Sequence, residues 1–411
     1  MTTTEDPNPT ISAFLHAPAT TAGVTASLRR MLRAVRTHLG MEVGFASHFD
    51  AGRRVFRAVD TDVEGAFVTE GASDPIDGSF CGAVVDGRLP ELIGDASVMP
   101  AARALSRPVP FPIGAHLSVP VKLSDGTTYG TFCCFSSHPD LSLTGRDVAV
   151  LRVFADLAAD LIERERTTLH EEAAVRHGIV GLLSRGPIKT VFQAVVEPRG
   201  RTVLGFEALS RFGAEPRRPP NVWFAEAASV GLGVELELAC VERALRALER
   251  LPSGLFLALN MSPKAIVDDR FARLLGSRPL ERIVLELTEH AMVVEYEDLA
   301  SVLAPLRAAG LRIAIDDAGA GYASFRHVVR MAPDVIKLDL AITRNVDRDR
   351  PRRALAAALI GFARETGATI TAEGIETPEE LAALVELGVD AAQGYLLGRP
   401  LPLEQALAVG G

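Results

Sequence analysis

Seven short apolar segments in the second half of the chain each end at a polar residue. Their sequences are VLGFEAL, LFLALN, IVLELTE, IAIDDAG, VIKLD, TITAEG and AAQGY. Each is too short for a helix, and most are rich enough in β-branched or other apolar residues for a buried strand. Amphipathic helical stretches separate most of them, and strands that alternate with helices predict parallel βα units.

About eight such units fit a closed (β/α) barrel better than an open doubly wound sheet, because barrels of this kind build their sites at the C-terminal ends of the strands. The polar residues at the strand ends would then meet at one mouth. They are Glu207, Asn260, Glu286, Asp316, Asp317, Lys337, Glu373 and Gln393.

The first half has a different pattern. A helical period over residues 22–39 is followed by strand-like runs at 43–48, 54–58, 117–123 and 130–136, which predict a short antiparallel sheet flanked by helices. A second helical pattern begins at 146 and continues to about 183. With 411 residues and 48% apolar residues, the chain is long enough for two cores, and we expect two domains.

Composition excludes several classes of protein. A net charge of -9 argues against a protein that coats duplex nucleic acid. The first ten residues are not predicted to be a signal peptide, and no apolar stretch is long enough to span a bilayer. The four cysteines show no metal-ligand spacing and the Cys133-Cys134 pair is badly placed for a structural disulfide, so a cytoplasmic, reducing setting is expected.

Carboxylates and an amide at separate strand ends are suitable ligands for magnesium or manganese. Adjacent carboxylates such as Asp316 and Asp317 repel each other unless cations lie between them, so two metal ions and phosphodiester hydrolysis are indicated. In that chemistry Lys337 would orient the water or neutralise charge, Glu373 would take the proton, and Arg211 would bind a phosphate.

These residues also carry a family resemblance. The second half resembles EAL-domain cyclic di-GMP phosphodiesterases over about residues 185–407, because seven motifs match in order. They are Glu207-Ala208-Leu209 with Arg211, Asn260-Met261-Ser262-Pro263, Glu286-Leu287-Thr288-Glu289, Asp316-Asp317 with Gly319 and Gly321, Lys337-Leu338-Asp339, Ala372-Glu373-Gly374 and Gln393-Gly394-Tyr395.

The resemblance implies an α/β fold, a TIM-like (β/α)8 barrel whose first strand runs antiparallel to the others, and opening of cyclic di-GMP to linear pGpG. It implies two Mg2+ or Mn2+ ions per site, a homodimer, and a role for each of a set of residues. One metal would be bound by Glu207, Asn260, Glu286 and Asp316, and the other by Asp316 and Asp317.

Of the remaining residues, the resemblance makes Glu373 the general base, has Lys337 hold the water, and has Glu289 anchor the loop that begins at Asp316. Substrate-binding positions would be Gln193, Leu209, Arg211 and Gln393. Ala318 and Ala320 depart from the usual loop pattern of the family, and they predict altered loop control and activity that is low or unusually dependent on the partner subunit.

The first half more loosely resembles a GAF sensor domain, an α+β fold with an antiparallel sheet. The resemblance rests on its helices, its strands and the segment at 77–81. We therefore expect a GAF-like domain at residues 20–165, a helical linker at 166–184 and the EAL domain at 185–411. An unknown small molecule or redox signal would act on the first domain. Cys81 is expected to be a small buried hydrophobic residue rather than a reactive thiol, and His116 and His138 to be hydrogen-bonded structural residues.

Two other functions stay open. One is a receptor that binds cyclic di-GMP without turnover, which only Ala318 and Ala320 favour. The other is a magnesium-dependent barrel enzyme that uses Lys337 as a base next to a carboxylate. Arg211 and the paired aspartates favour phosphodiester hydrolysis over the second alternative.

Overall fold

The computed structural model describes residues 20–63, 68–106, 111–214, 217–276, 278–287, 296–318 and 329–409, except for the side chains of residues 106, 185, 317, 318 and 409. The chain divides into two compact units, Met1–Ala173 and Ala174–Gly411. The domain boundaries drawn from the sequence stay a prediction.

The first unit contains an antiparallel sheet of six strands among the described residues, in the order β3-β2-β1-β6-β5-β4. The strands are β1 Val43–Asp50, β2 Arg53–Thr61, β3 Ser73–Pro75, β4 Leu92–Ile93, β5 Ala115–Lys122 and β6 Thr128–Ser136. The sheet predicted from the sequence is confirmed. The strands β3 and β4 were not predicted, because two or three residues are too few to show an alternating pattern.

Helices pack on this sheet. The helices that begin in the first unit are Thr21–Leu39, Phe80–Val85, Pro100–Ser106 and Gly145–Arg185. Because side chains alternate along a strand, Cys134 of β6 lies in the core beneath the helix Thr21–Leu39, whereas Cys133 lies in a separate cluster on the opposite face.

The second unit contains a barrel of eight strands among the described residues, which closes in chain order from β7 to β14. The strands are β7 Ile188–Val196, β8 Val203–Phe212, β9 Phe256–Met261, β10 Ile283–Leu287, β11 Arg312–Ala318, β12 Val335–Leu338, β13 Thr369–Ala372 and β14 Ala391–Ala392. Strand β7 is antiparallel to both of its neighbours, and the remaining pairs are parallel. The predicted barrel with a reversed first strand is confirmed.

Helices connect the barrel strands, and one more helix follows β14. In chain order they are Pro220–Ser229, Gly233–Leu248, Pro263–Ile266, Asp269–Leu275, the 3-10 helix Leu280–Arg282, Tyr296–Ala308, Leu340–Thr343, Arg350–Thr366, Pro378–Leu387 and Leu403–Val409. Several begin at a side-chain cap, as at Ser262 and Asp339, whose oxygen atoms accept hydrogen bonds from the first turn. Among the described residues no helix has the length and apolar content to cross a membrane.

Alternation along the barrel strands decides which side chains face the interior. In β10, Ile283, Leu285 and Leu287 belong to the large core that the barrel shares with its helices, whereas Val284 belongs to a small cluster with Ala258 and Ala314. Residues two positions farther along each strand share its direction. The interior positions at the carboxyl ends are therefore Asn260, Glu286, Asp316 and Lys337.

An aromatic ring packs against the small interior cluster of Ala258, Val284 and Ala314. A Cβ atom on Gly205 would lie 2.5 Å from Cγ of Phe256 and 2.6 Å from its carbonyl oxygen. Glycine therefore allows the Phe256 ring to lie against β8, two residues before Glu207.

Candidate active site

The ammonium group of Lys337 lies at the centre of the site. Its Nζ atom is 2.7 Å from Oε1 of Glu373, 2.8 Å from Oε2 of Glu286, 3.2 Å from Oδ1 of Asp316 and 3.9 Å from Oε2 of Glu207. The lysine side chain is 3% exposed. Carboxylates from four strands or strand ends thus converge on one buried cation that a fifth strand carries, as the strand-end pattern predicted.

Glu207 is fixed by two amide donors. Nδ2 of Asn260 donates to one carboxylate oxygen of Glu207 at 2.7 Å, and Nε2 of Gln393 donates to the other at 2.7 Å. Gln393 also donates to Oε1 of Gln193 at 3.1 Å, and Gln193 donates to the carbonyl of Gly398 at 3.0 Å. These amides hold the Glu207 carboxylate in one orientation.

The charges in this cluster do not balance. Four carboxylates face one ammonium group, and burial opposes ionisation of Glu207, Glu286 and Glu373. Burial raises the pKa of Glu373 to about 8 despite the opposing effect of Lys337, with Asp316 and Glu207 raising it further. Burial also raises the pKa of Glu286 well above its ordinary value, and the neighbouring carboxylates add to this effect.

Glu207 differs from the other two glutamates of this cluster. Burial would raise its pKa, but Lys337 and the donors on Gln393 and Asn260 together hold it below its ordinary value. Glu207 is therefore the glutamate of this cluster whose ionised form its neighbours stabilise.

The cluster opens into a cavity of about 320 Å3. Glu207, Asp316, Glu373 and Gln393 line it together with Tyr395, whose side chain is largely exposed. A second cavity of about 320 Å3 is lined by Asn260, Leu209 and Arg211, among other residues. Leu209 lines both cavities, so a ligand too large for one cavity would extend past Leu209 into the other.

Arg211 lies at the surface of the second cavity. Its Nη1 atom donates to the carbonyl of Ser210 at 2.9 Å, and its side chain is exposed. The guanidinium group therefore lies away from the Lys337 cluster, at a position suited to the outer part of a ligand.

The sequence did not identify two residues that help to position the site. Glu237 accepts hydrogen bonds from the backbone nitrogen of Ser262 at 2.7 Å and from its hydroxyl at 2.9 Å, directly after Asn260 and Met261. Thr343 donates its hydroxyl proton to the backbone carbonyl of Glu373 at 2.6 Å. A carboxylate inside the apolar run VELELAC was the available signal for Glu237. The sequence carried no comparable signal for Thr343, because this residue lies on a different element from Glu373.

Some predicted residues fall outside the described part of the chain. They are Glu289 with the neighbouring His290, the side chains of Asp317 and Ala318, and the loop residues Gly319, Ala320 and Gly321. Their roles stay predictions.

The donor set suits a divalent cation. Hard cations bind carboxylate and amide oxygens, and the described residues bring four carboxylates and the Asn260 amide to one end of the barrel with a single neutralising lysine. In addition, Oε1 of the buried Gln393 has no hydrogen-bond partner among the described residues. Excess negative charge together with an unsatisfied oxygen is what a bound cation and its water ligands would satisfy.

The same geometry argues against Lys337 as a general base. Burial by itself would lower its pKa, but Glu207, Glu286, Glu373 and Asp316 together raise the pKa well above its ordinary value. A base must be deprotonated at the working pH, so proton abstraction by Lys337, which the sequence left open, is disfavoured.

Known structures have a similar fold. The phosphodiesterase PaMucR, solved in complex with cyclic di-GMP, is 28% identical over 56% of this chain and 99% of that chain, with a TM-score of 0.51. EAL enzyme Bd1971 is 17% identical over 90% of this chain and 93% of its own, with a TM-score of 0.56, which shows likeness of fold alone.

Curated relatives carry related names. The probable cyclic di-GMP phosphodiesterase PdeN of Escherichia coli is 31% identical over 238 residues, which are 55% of this chain and 46% of PdeN. The bifunctional diguanylate cyclase/cyclic di-GMP phosphodiesterase MucR of Pseudomonas aeruginosa is 29% identical over 251 residues, 58% of this chain and 36% of MucR. The matched regions therefore span less than half the length of either relative.

Family models match both halves of the chain in the order that the sequence predicted. A GAF domain model matches residues 21–163, and an EAL domain model matches residues 173–400. The second match covers more than half of the chain. On this evidence, the chain belongs to the EAL domain family and carries a GAF domain ahead of its EAL domain.

Proposed function

We propose that this protein hydrolyses cyclic di-GMP to linear pGpG. The observation that carries the proposal is the convergence of four carboxylates and Asn260 around Lys337 at the cavity end of the barrel. The relatives PdeN and MucR, which are named for cyclic di-GMP phosphodiesterase activity, support the choice of substrate.

Two divalent ions, magnesium or manganese, would lower the pKa of a water molecule and stabilise the charge that develops on phosphorus. Glu207, Asn260, Glu286 and Asp316 would hold one of them, and Asp316 with Asp317 the other. Lys337 would hold the attacking water by a hydrogen bond. Glu373, which lines the cavity and contacts Lys337, would accept the proton of that water. The positive charge of the bound ions would favour its ionised form and so lower the pKa that burial raises.

The two cavities would share the substrate. Leu209 lines both of them, so a cyclic dinucleotide would extend from the carboxylate cluster past Leu209 towards Arg211. There the guanidinium group would bind a phosphate through its fork of donors. Gln193 and Gln393 would fix the substrate on the other side, where their amides already form a chain of hydrogen bonds.

Regulation is part of the same proposal. A signal received by the GAF domain would change the activity of the EAL domain, and two chains would form a homodimer. The order of the two domains supports the first point, since a GAF domain precedes the EAL domain in one chain.

The function is tested by product analysis. The full chain is incubated with cyclic di-GMP and either magnesium or manganese, and the nucleotides are separated by chromatography. We expect linear pGpG from the wild type and none above background from Glu207→Ala, with Glu379→Gln as a control because Glu379 is exposed on the helix Pro378–Leu387. Binding of cyclic di-GMP without any product would contradict hydrolysis and support the receptor.

Metal binding is tested by a separate readout. A ligand that binds only the folded state stabilises it, so magnesium or manganese is expected to raise the thermal unfolding temperature of the wild type. The rise should be lost in Glu207→Ala, which removes one carboxylate from the cluster. An equal rise in wild type and Glu207→Ala would place the cation elsewhere.

A further inference from the structure

A second cluster of potential metal ligands lies in the first unit, far along the chain from the carboxylates. It consists of Cys81, His116 and Cys133, whose ligand atoms all lie within 4.8 Å of one another. All three side chains are buried, with exposed fractions of 0%, 1% and 0%. They belong to different elements, the helix Phe80–Val85, strand β5 and strand β6, so the fold alone brings them together.

The two sulfur atoms are in close contact and are surrounded by donors. Sγ of Cys81 lies 3.1 Å from Sγ of Cys133. Arg54 donates from Nη1 to Sγ of Cys81 at 3.1 Å, and the hydroxyl of Ser118 lies 2.8 Å from Sγ of Cys133. Hydrogen bonds of this kind stabilise thiolates and orient metal ligands.

The charge of Arg54 is balanced beside the cluster. Its guanidinium group is paired with Asp74 at 2.5 Å, so the pocket has no uncompensated positive charge that would repel a cation. A cysteine binds a metal ion as the thiolate, so binding would displace the thiol protons.

His116 has unused bonding capacity. Its Nδ1 atom is buried without a hydrogen-bond partner among the residues that the structure describes. His116 also lines a cavity of about 340 Å3, together with Arg54, Asp74 and Phe80. The sequence predicted a hydrogen-bonded structural histidine here, and the unpartnered Nδ1 leaves one ring nitrogen available to a ligand.

We propose that Cys81, His116 and Cys133 bind a thiophilic metal ion, zinc(II), in the first unit. Two thiolates and one imidazole are a frequent zinc donor set, and three protein ligands leave the fourth tetrahedral position to water or to a ligand from the cavity. In a tetrahedral zinc site with Zn–S bonds of about 2.3 Å the sulfur atoms are about 3.8 Å apart. A separation of 3.1 Å therefore needs only a small rotation of the two side chains.

The site has a chemistry different from that of the barrel. Zinc prefers sulfur and nitrogen ligands, whereas the carboxylate cluster offers only oxygen atoms and a lysine. The inference does not depend on the proposed hydrolysis of cyclic di-GMP, and an inactive barrel would leave it unaffected.

Cobalt(II) distinguishes the two sites, because thiolate ligands give a charge-transfer band in the near ultraviolet and oxygen ligands do not. The metal-free full chain, kept reduced, is titrated with cobalt(II) and then with zinc(II). We expect the thiolate band to saturate at one cobalt per chain and to disappear when zinc(II) displaces the cobalt. Absence of the band from the folded wild type would overturn the proposal.

Matched cysteine variants locate the ligands. Cys133→Ala should abolish the thiolate band, whereas Cys134→Ala should keep it, because Cys134 is equally buried and faces the opposite side of β6. Circular dichroism of each variant checks that it is folded. A band that survives in Cys133→Ala, or that is lost equally in Cys134→Ala, would contradict the assignment. Two thiols that disappear on air oxidation, with no cobalt band under reducing conditions, would show a redox pair instead of a metal site.

Discussion

Lys337 governs the chemistry of the barrel at the scale of single residues. One ammonium group contacts four carboxylates, and its pKa is raised so far that it acts as a fixed positive charge. The sequence predicted that Lys337 orients the water or neutralises charge, but not which carboxylates it contacts. Its partners come from four other strands or strand ends, so no local pattern reports these contacts.

Glu373 is expected to be the most sensitive position for catalysis. Glu373→Gln keeps the size of the side chain but cannot accept a proton, so kcat should fall by about 100-fold to 10,000-fold while cyclic di-GMP still binds. Steady-state kinetics and binding assays on the same preparation check this result, with Glu379→Gln as the control. A glutamine variant with near wild-type kcat would remove Glu373 from the role of general base.

Thr343 is expected to position Glu373. Thr343→Val has nearly the same shape but removes the 2.6 Å hydrogen bond to the Glu373 carbonyl, leaving that buried acceptor without its donor. The free energy of unfolding should fall by about 1–3 kcal/mol and kcat by several-fold, with KM nearly unchanged. Thr343→Ser keeps the hydroxyl and should recover most of kcat. Failure of serine to do so would show that packing rather than the hydrogen bond matters.

At the scale of elements, the alternation of the strands places the site. The apolar period of each short run predicted a strand, and the interior direction of Glu286 follows from the burial of Ile283, Leu285 and Leu287 in the outer core. The reversed strand β7 was expected from the family resemblance and is confirmed. The strands β3 and β4 were missed because they are too short to show an alternating pattern. The supporting role of Glu237 was missed because it depends on a contact with Ser262 in a distant segment.

Gly205 tests the packing of the barrel interior. Gly205→Ala would place a methyl group 2.5 Å from the Phe256 ring, so the free energy of unfolding should fall by about 1–3 kcal/mol. Gly361→Ala is the control, because nothing lies within 4 Å of an added Cβ in that helix, and it should be neutral or stabilising. Urea denaturation compares the two. If Gly205→Ala and Gly361→Ala changed the free energy of unfolding equally, the Phe256 ring would move aside without a cost in stability.

Glu380 stabilises the loop that follows Glu373, and its substitution tests this contribution. Its carboxylate accepts hydrogen bonds from the backbone nitrogens of Asn345, Glu376 and Thr377. Burial would raise its pKa, but these hydrogen bonds lower it below the ordinary value of 4.5. The stabilisation is therefore present above pH 4.5 and is lost as the pH falls through the lower pKa of the folded state.

Glu380→Gln is accordingly expected to lower the free energy of unfolding by about 1 kcal/mol at neutral pH. The difference from wild type should shrink below pH 4.5, when the wild-type carboxyl group becomes protonated. Urea denaturation at a series of pH values measures it. A difference that is independent of pH would show that charge is not the cause.

At the scale of the whole molecule, the chain combines two units with different candidate sites. The fold of both units could be predicted from the sequence, because apolar periodicity and ordered motifs extend along most of each half. The cluster of Cys81, His116 and Cys133 could not be predicted, since its members are separated by 35 and 17 residues and show no metal-ligand spacing. Cys133 and Cys134 are adjacent in sequence, but strand alternation puts them on opposite faces, so only Cys133 belongs to the cluster.

The central claim is that the carboxylate cluster around Lys337 cleaves cyclic di-GMP when it holds divalent cations. The most direct test is the amount of linear pGpG formed by wild type and by Glu207→Ala, each with manganese and with an excess of chelator. The account predicts pGpG only from wild type with manganese. Equal pGpG from Glu207→Ala, or from wild type in chelator, would contradict it.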